Sequence, residues 1–349
     1  MRPRWGVAAL LLALPALLPA ARAQLAPSPD EPPVSTAPAQ PPEDMPVATL
    51  KLNVNLVDVV FIVRDKAGNV VPHLTKEECA ISEDKAPQTL KSFAAEAHLP
   101  LTLGILLDTS GSQQRVLPLE QDVGSQFLER VLKPKDEAFL LSFDVDVDLL
   151  QDYTNNPLLL ARAMSKAEIN TAGGNGAAGI PGAGGGTVPT IGDPKGTLLF
   201  DAVVLASHQK MAQETGRKAM ILLTDGGDEG STHKIGEAIA AAQKSNVIVY
   251  VILIADRAFT GSFGYHGYSD MKRMTEETGG RLIDVGNNGK KLEAAFEQIE
   301  EELRTQYVAS YTPSNAKLDG SFRKLSVECR GDGLKVQVRK GYYAIPPQD

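Results

Sequence analysis

Asp108, Ser110 and Ser112 follow directly after the apolar run in LGILLDTSGSQQRV, and their side chains all offer oxygen atoms. Asp225 ends a second apolar run in MILLTDGGDEGS, and Thr197 precedes an apolar stretch in GTLLFDAV. Two carboxylates and three hydroxyls, without histidine or cysteine, are hard donors that favour Mg²⁺, Mn²⁺ or Ca²⁺ over Zn²⁺. If the fold brings these residues together, the chemistry they predict is the binding of a divalent cation.

The central part of the chain has a pattern that can bring them together. From residue 98 to residue 305, near-continuous apolar runs alternate with stretches whose apolar residues recur at helical spacing. This pattern predicts an α/β domain with a doubly wound, mostly parallel sheet and helices on both faces. In such a sheet, ligands bind at the carboxyl ends of the strands, where Asp108 and Asp225 lie. The predicted strands are 101–107, 138–143, 219–224, 247–255 and 281–285, and the predicted helices are 116–131, 199–205 and 235–242.

The segments on either side of this domain have the two-residue apolar alternation of β-strands. We expect residues 48–97 and residues 306–346 to pack together as one small β domain, into which the α/β domain is inserted. The chain has two cysteines, Cys79 in the first segment and Cys329 in the second. Such packing favours a disulfide between them, and the alternative is a pair of buried free thiols.

The start of the chain has the composition of an export signal. Residues 1–23 combine a basic start, a short apolar stretch and a small-residue cleavage site, so we interpret them as a secretory signal peptide. The apolar stretch is shorter than the roughly 20 residues of a membrane span, so we expect no transmembrane segment after cleavage. Residues 24–47 are rich in proline and are expected to form an extended linker. The predicted location is exported, either periplasmic or secreted.

The overall composition argues against one class of partner. The 349 residues carry a net charge of -8, and only 5% of them are aromatic. A protein that binds nucleic acid needs a basic surface for the phosphates and often aromatic side chains for the bases. We therefore expect no nucleic-acid partner.

The five oxygen-bearing residues resemble the metal-ion-dependent adhesion site (MIDAS) of the von Willebrand factor type A (VWFA) domain, whose signature is Asp-x-Ser-x-Ser with a later Thr and a later Asp. The resemblance implies that Ser110, Ser112 and Thr197 ligate the ion directly. It implies that Asp108 and Asp225 hold the ion mainly through water, and that an acidic side chain of a protein partner fills the open position. The flanking stretches VVFIVRDKAGNVVPHLTKEE and SYTPSNAKLDGSFRKLSVECRGDGLKVQVRKGYYA resemble a bacterial, acidobacterial-type family of exported VWFA-related proteins.

Three features near the predicted site leave alternatives open. A glycine-rich insert at 171–196 contains Thr187, which competes with Thr197, although only Thr197 is followed by a helical stretch. Asp228 and Glu229 either enlarge the acidic rim or belong to a solvated loop. The loop 257–270 carries aromatic residues that either contact a partner or fold back on the core, namely Phe259, Phe263, Tyr265 and Tyr268.

An enzymatic interpretation has weaker support. Asp144 and Asp146 in FLLSFDVDVDLL resemble the nucleophile and the general acid of haloacid-dehalogenase-like phosphatases, but no downstream lysine and acidic pair completes the set. The same stretch lacks the glycine of an EF-hand loop, and no Gly-x-Ser-x-Gly elbow surrounds Ser110. We therefore predict a non-enzymatic, exported adhesion module that depends on a divalent cation. The alternatives are a structural envelope-assembly protein with a little-used metal site and, more weakly, a metal-dependent phosphoester hydrolase.

Overall fold

The structure, a computed structural model, describes residues 56–95, 99–169, 196–254 and 266–346. All of them belong to one compact unit, residues 53–349. The predicted signal peptide and the linker at 24–47 lie outside the described residues.

The described chain has β segments at its two ends and α/β units at its centre. In chain order the strands are β1 (Val57–Arg64), β2 (Cys79–Glu83), β3 (Ala86–Gln88), β4 (Leu90–Ala95), β5 (Leu101–Asp108), β6 (Glu137–Phe143), β7 (Val147–Thr154), β8 (Arg217–Thr224), β9 (Ile248–Leu253), β10 (Leu282–Asp284), β11 (Tyr307–Tyr311), β12 (Phe322–Cys329), β13 (Lys335–Val338) and β14 (Gly341–Tyr343). The helices are α1 (Leu117–Val131), α2 (Pro157–Met164), α3 (Leu199–Leu205, continued by a π-helical turn over Ala206–Met211), α4 (Ile235–Lys244), α5 (His266–Thr278) and α6 (Gly289–Arg304).

The central sheet has six strands in the order β10-β9-β8-β5-β6-β7. Neighbouring strands run parallel, except that β7 is antiparallel to β6. The direction in which strands are added reverses between β5 and β8. This is the topological switch point, and ligands of open α/β sheets bind outside the carboxyl ends of the strands there.

Helices cover both faces of the central sheet. Every residue of β5 is buried, which is the reason for its unbroken apolar run. Leu103, Ile105 and Leu107 point to the face packed by α1, α2 and α6, whereas Leu106 points to the face packed by α3, α4 and α5. The chain is therefore a mixed α/β protein with a mostly parallel sheet between two helical layers, as the apolar pattern predicts.

The flanking segments form two four-stranded antiparallel sheets around a separate apolar core. Their orders are β13-β1-β11-β4 and β14-β12-β2-β3, so each sheet combines strands from both ends of the described chain. Cys79 on β2 and Cys329 on β12 are directly paired residues and form a disulfide. Arg323 and Glu83 form a buried ion pair with nitrogen and oxygen 3.2 Å apart, and the hydroxyls of Tyr311 and Tyr342 donate to Glu83.

One buried polar cluster holds the central layers to the flanking segments, and a second joins the two ends of the central domain. Glu302 on α6 is completely buried and accepts hydrogen bonds from Arg64 on β1 and Gln337 on β13. At the amino end of β8, the guanidinium of Arg217 donates to the carbonyls of Leu99 and Leu303. The chain therefore enters β5 and leaves α6 at one place, at the edge of the sheet opposite the carboxyl ends of the parallel strands.

The predicted elements do not include strand β7, nor helices α2, α5 and α6. Strand β7 reads VDLLQDYT, and none of its residues is fully buried, because it lies at the edge of the sheet and its pairing with β6 contains two register shifts. Without a continuous apolar run or a regular alternation, its acidic residues look like a loop.

Among the described residues, no helix combines the length and the apolar character needed to cross a lipid bilayer.

Candidate metal centre

Asp108 and Asp225 lie at the switch point because β5 and β8 are neighbours. β5 ends at Asp108, and β8 ends one residue before Asp225. Asp108 is fully buried; its carboxylate accepts hydrogen bonds from the Thr224 hydroxyl (2.6 Å) and the Ser110 N–H (3.0 Å). Asp225 is half-buried and accepts one from the N–H of Gly227 (3.0 Å). One carboxylate is thus fixed below the surface, and the other is partly open to solvent.

The two serines after Asp108 have their hydroxyls close together. Gly111–Gln113 form a 3₁₀ turn, and the Oγ atoms of Ser110 and Ser112 are 3.1 Å apart. Two oxygen ligands at right angles around Mg²⁺, each at about 2.1 Å, are separated by about 3 Å. The hydroxyl pair therefore fits two adjacent ligand positions of an octahedral site.

Thr197 is placed by backbone contacts to two loops of the same edge. It exchanges two backbone hydrogen bonds (2.9 and 3.4 Å) with Glu229, in the loop that follows Asp225. The N–H of Leu198 donates to the carbonyl of Asp144, directly after β6 (2.8 Å). All five residues of the predicted set therefore lie at the carboxyl edge of the central sheet.

Asp144 ties the Asp-x-Ser-x-Ser loop to β6. Its carboxylate accepts hydrogen bonds from the Thr109 hydroxyl (2.7 Å) and from the N–H of Asp146 (3.2 Å). The side chain is only 8% exposed. A phosphatase nucleophile has to be open to its substrate, whereas this carboxylate positions a neighbouring loop.

The carboxylate of Asp228 also makes hydrogen bonds within the protein. It accepts hydrogen bonds from the Phe200 N–H in the first turn of α3 (3.1 Å) and from the Ser231 hydroxyl. Burial raises its pKa. Of the two acidic residues considered for a wider rim, only Glu229 has an exposed side chain.

The electrostatics of this edge favour a cation. Burial raises the pKa of Asp108 to about 7, and the nearby charge of Asp225 adds to the effect, while hydrogen bonds from Ser110 and Thr224 oppose it. A buried carboxylate beside a second carboxylate is unfavourable unless a positive charge offsets both.

Glu120 is a residue of this region that the sequence analysis misses. Its side chain is fully buried, and neither carboxylate oxygen has a hydrogen-bond partner among the described residues. Burial first, and then the charges of Asp108 and Asp225, raise its pKa well above the usual range. An available signal was its place in the apolar stripe of α1, four residues after Val116 and three before Val123.

Several residues considered in the sequence analysis lie outside the described residues. These are Thr187, nearly all of the glycine-rich insert, and Phe259, Phe263 and Tyr265 of the aromatic loop. Tyr268 of that loop is described, at the start of α5, and is 38% exposed.

No family model and no curated protein matches this sequence. Among solved structures, BatB, a conserved hypothetical protein from Bacteroides thetaiotaomicron, is 16% identical over 58% of this chain and 99% of its own, with a TM-score of 0.42. The SpRpn10 VWA domain is 13% identical over 58% of this chain and 95% of its own, with a TM-score of 0.39. Proximal thread matrix protein 1 from the mussel byssus, in a structure with a zinc-occupied MIDAS motif, is 14% identical over 63% of this chain and 49% of its own, with a TM-score of 0.44. These likenesses assign no ligand or activity to this chain.

Proposed function

We propose that this chain is an exported interaction module of the VWFA type, in which a divalent cation at the switch point links the protein to an acidic side chain of a protein partner. The observation that carries the proposal is the pair of serine hydroxyls, 3.1 Å apart, beside the fully buried Asp108. The ionised form of a carboxyl group buried in this way is stabilised by a cation that offsets its desolvation.

In this proposal Ser110, Ser112 and Thr197 are direct ligands, and Asp108 and Asp225 act mainly through water. Among the described residues, no three His, Cys, Asp or Glu side chains form a group able to hold a metal ion, so hydroxyls are needed to complete the donor set. A bound ion supplies a Lewis-acidic position for a carboxylate oxygen from outside the protein. Mg²⁺ is our first choice, and Mn²⁺ and Ca²⁺ accept the same ligand types.

The proposal includes the organisation of the whole chain. We infer that the two flanking sheets, one of which contains the disulfide, form one β domain, that the α/β domain is inserted in it, and that residues 1–23 direct export. The buried, hydrogen-bonded state of Asp144 supports a binding role over phosphoester hydrolysis.

The ion site is tested by calorimetric titration of Mg²⁺ and Mn²⁺ into the purified chain. We expect saturable one-to-one binding, and a loss of affinity of about tenfold or more in Ser112→Ala, because one ligand is removed. The matched control is Ser165→Ala, which removes an exposed hydroxyl after the end of α2 and is expected to bind like the wild type. If the wild type shows no saturable binding at millimolar metal, the result favours the alternative of a structural envelope-assembly protein.

The open ligand position is tested on the Mn²⁺-loaded chain with acetate as the simplest carboxylate. Acetate is expected to displace a metal-bound water and so lower the water-proton relaxation enhancement, whereas the neutral analogue acetamide has no effect. Equal responses to the two compounds would contradict the acidic-partner half of the proposal.

A further inference from the structure

Thr197 and Asp225 come to the proposed site from two different segments of the chain. Thr197 lies directly before α3, at the end of the glycine-rich insert 171–196, whereas Asp225 begins the loop that follows β8. The site needs both residues at a fixed distance from each other. Besides the backbone hydrogen bonds between Thr197 and Glu229, contacts between side chains of the loop and the start of α3 can fix that distance.

The loop after β8 holds the start of α3 through the carboxylate of Asp228. Oδ1 of Asp228 accepts hydrogen bonds from the Phe200 N–H (3.1 Å) and from the Ser231 hydroxyl. The Ser231 oxygen in turn accepts one from the Asp201 N–H (3.1 Å). The first N–H groups of a helix have no partner inside the helix, so Asp228 and Ser231 supply acceptors that α3 lacks.

Helix α3 holds the same loop in return through the carboxylate of Asp201. This carboxylate accepts hydrogen bonds from the N–H groups of Thr232 and His233, each at 2.9 Å, and Nδ1 of His233 lies 2.7 Å from its Oδ1. The side chains of Asp201, Asp228 and Ser231 therefore form a reciprocal contact between α3 and the loop. Each segment is an acceptor for N–H groups of the other.

We infer that Asp228 is a positioning residue of the cation site, which acts through its two hydrogen bonds and not through its charge. The inference deepens the proposed function and rests on it, because Thr197 is a ligand only in that proposal. The contact joins the start of α3 to the loop of Asp225 and so holds Thr197 in place beside it. Thr197 is then positioned by residues that follow it in the chain.

The two possible roles of Asp228 are separated by calorimetric titration of Mn²⁺ into three variants. Asp228→Ala removes the acceptor for Phe200 and Ser231, and its Mn²⁺ affinity is expected to fall roughly tenfold or more. Asp228→Asn removes the charge but keeps an oxygen at Oδ1, where both hydrogen bonds end, so it is expected to bind like the wild type. The matched control is Glu229→Ala, which removes an exposed carboxylate from the same loop and is expected to bind like the wild type.

A double variant shows whether Asp228 acts through Thr197. Thr197→Val removes one proposed ligand and is expected to lower the Mn²⁺ affinity by itself. In Asp228→Ala/Thr197→Val the affinity is expected to be close to that of the weaker single variant, because a threonine that is not held in place contributes little. A merely structural role of Asp228 gives two losses that multiply.

The wild type decides between failure of the inference and failure of the proposed function. If it binds no Mn²⁺, both fail. If it binds Mn²⁺, the inference alone is overturned when Asp228→Ala binds equally well, when Asp228→Asn loses as much affinity as Asp228→Ala, or when the losses in the double variant multiply. If Asp228→Ala does not fold, Ser231→Ala replaces it in the comparison with Thr197→Val, where losses that multiply overturn the inference and losses that do not multiply support it.

Discussion

Asp108 is an acidic side chain in surroundings that destabilise its ionised form. It is fully buried and faces the charge of Asp225, and Glu120 lies within range of both. Two neutral hydrogen-bond donors, the Thr224 hydroxyl and the Ser110 N–H, reduce this cost without removing it. The ion-free protein can relieve the rest by keeping protons on these groups.

This arrangement predicts that the ion-free protein is less stable at high pH. The pKa of Asp108 is raised from its ordinary value of 3.8 to about 7 on folding, so the folded state holds the proton more tightly. The stability from this group is full below about pH 4 and is lost as the pH rises through 7. In chelator, the free energy of unfolding measured with urea is expected to fall by up to about 1.4 kcal/mol per pH unit for each such proton.

The variant Asp108→Asn isolates the contribution of this residue. It is expected to flatten the pH dependence, and saturating Mg²⁺ is expected to do the same in the wild type, whereas Asp122→Asn at an exposed position of α1 is expected to leave it unchanged. A slope that Asp108→Asn does not alter would show that the proton is held elsewhere.

At the residue scale, the predictable part of the site is the part that belongs to a sequence pattern. Asp108, Ser110 and Ser112 follow a strand in a recognisable spacing, and Thr197 and Asp225 are each marked by an adjacent element. Glu120 belongs to no such spacing, and one acidic residue in an apolar stripe does not by itself reveal what it faces. Its relation to Asp108 depends on how α1 packs against β5, which is a tertiary contact.

At the element scale, α6 is held by a buried charge in addition to its apolar face. Leu292, Phe296 and Ile299 pack into the core beneath the sheet. Near the end of the helix, the Glu302 carboxylate contacts Arg64 and also the Nε of Arg281, at 3.0 Å. The end of α6 is therefore tied both to the flanking strand β1 and to the start of β10.

Replacement of Glu302 is expected to be strongly destabilising. Glu302→Ala leaves the largely buried Arg64 without its carboxylate, and loss of one partner from a buried ion pair costs about 3–5 kcal/mol. Urea unfolding of this variant is compared with that of Glu301→Ala, which removes an exposed carboxylate from the same helix and is expected to change stability by less than about 0.5 kcal/mol. Similar losses in both variants would mean that the buried pair makes no specific contribution to stability.

Elements were predictable where burial is one-sided or complete. The strands β5, β8 and β9 are wholly buried and read as apolar runs, whereas β7 is a half-exposed edge strand with no such run. Helix α6 has a clear apolar stripe in Leu292, Phe296, Ile299 and Leu303, but the sequence analysis did not use it. What no local pattern contains is the order of strands, since the neighbours β5 and β8 are separated by more than one hundred residues.

At the scale of the whole molecule, the disulfide closes a loop that contains the entire central sheet. Cys79 and Cys329 are 250 residues apart, and the strands that carry them come from the two flanking segments. A cross-link over so long a loop restricts the unfolded chain strongly. It joins the two flanks without touching the site at the far edge of the sheet.

Removal of the disulfide is expected to lower stability and leave the ion site intact. The double variant Cys79→Ala/Cys329→Ala is expected to lose about 2–5 kcal/mol of unfolding free energy, with Mn²⁺ affinity unchanged. Urea unfolding with and without reductant supplies the control, because reductant should weaken only the wild type. A loss of Mn²⁺ affinity in the double variant would show that the flanks and the site are coupled.

The opposite placement of the site and of the chain's entry and exit has a mechanical consequence. A partner that pulls on the carboxyl edge, against an anchorage through the flanking sheets, stretches β5 along its length of about 26 Å. β5 is paired with β6 and β8 along nearly all of its residues. Tension along the strand therefore loads these hydrogen bonds in shear, all together, instead of opening them one by one.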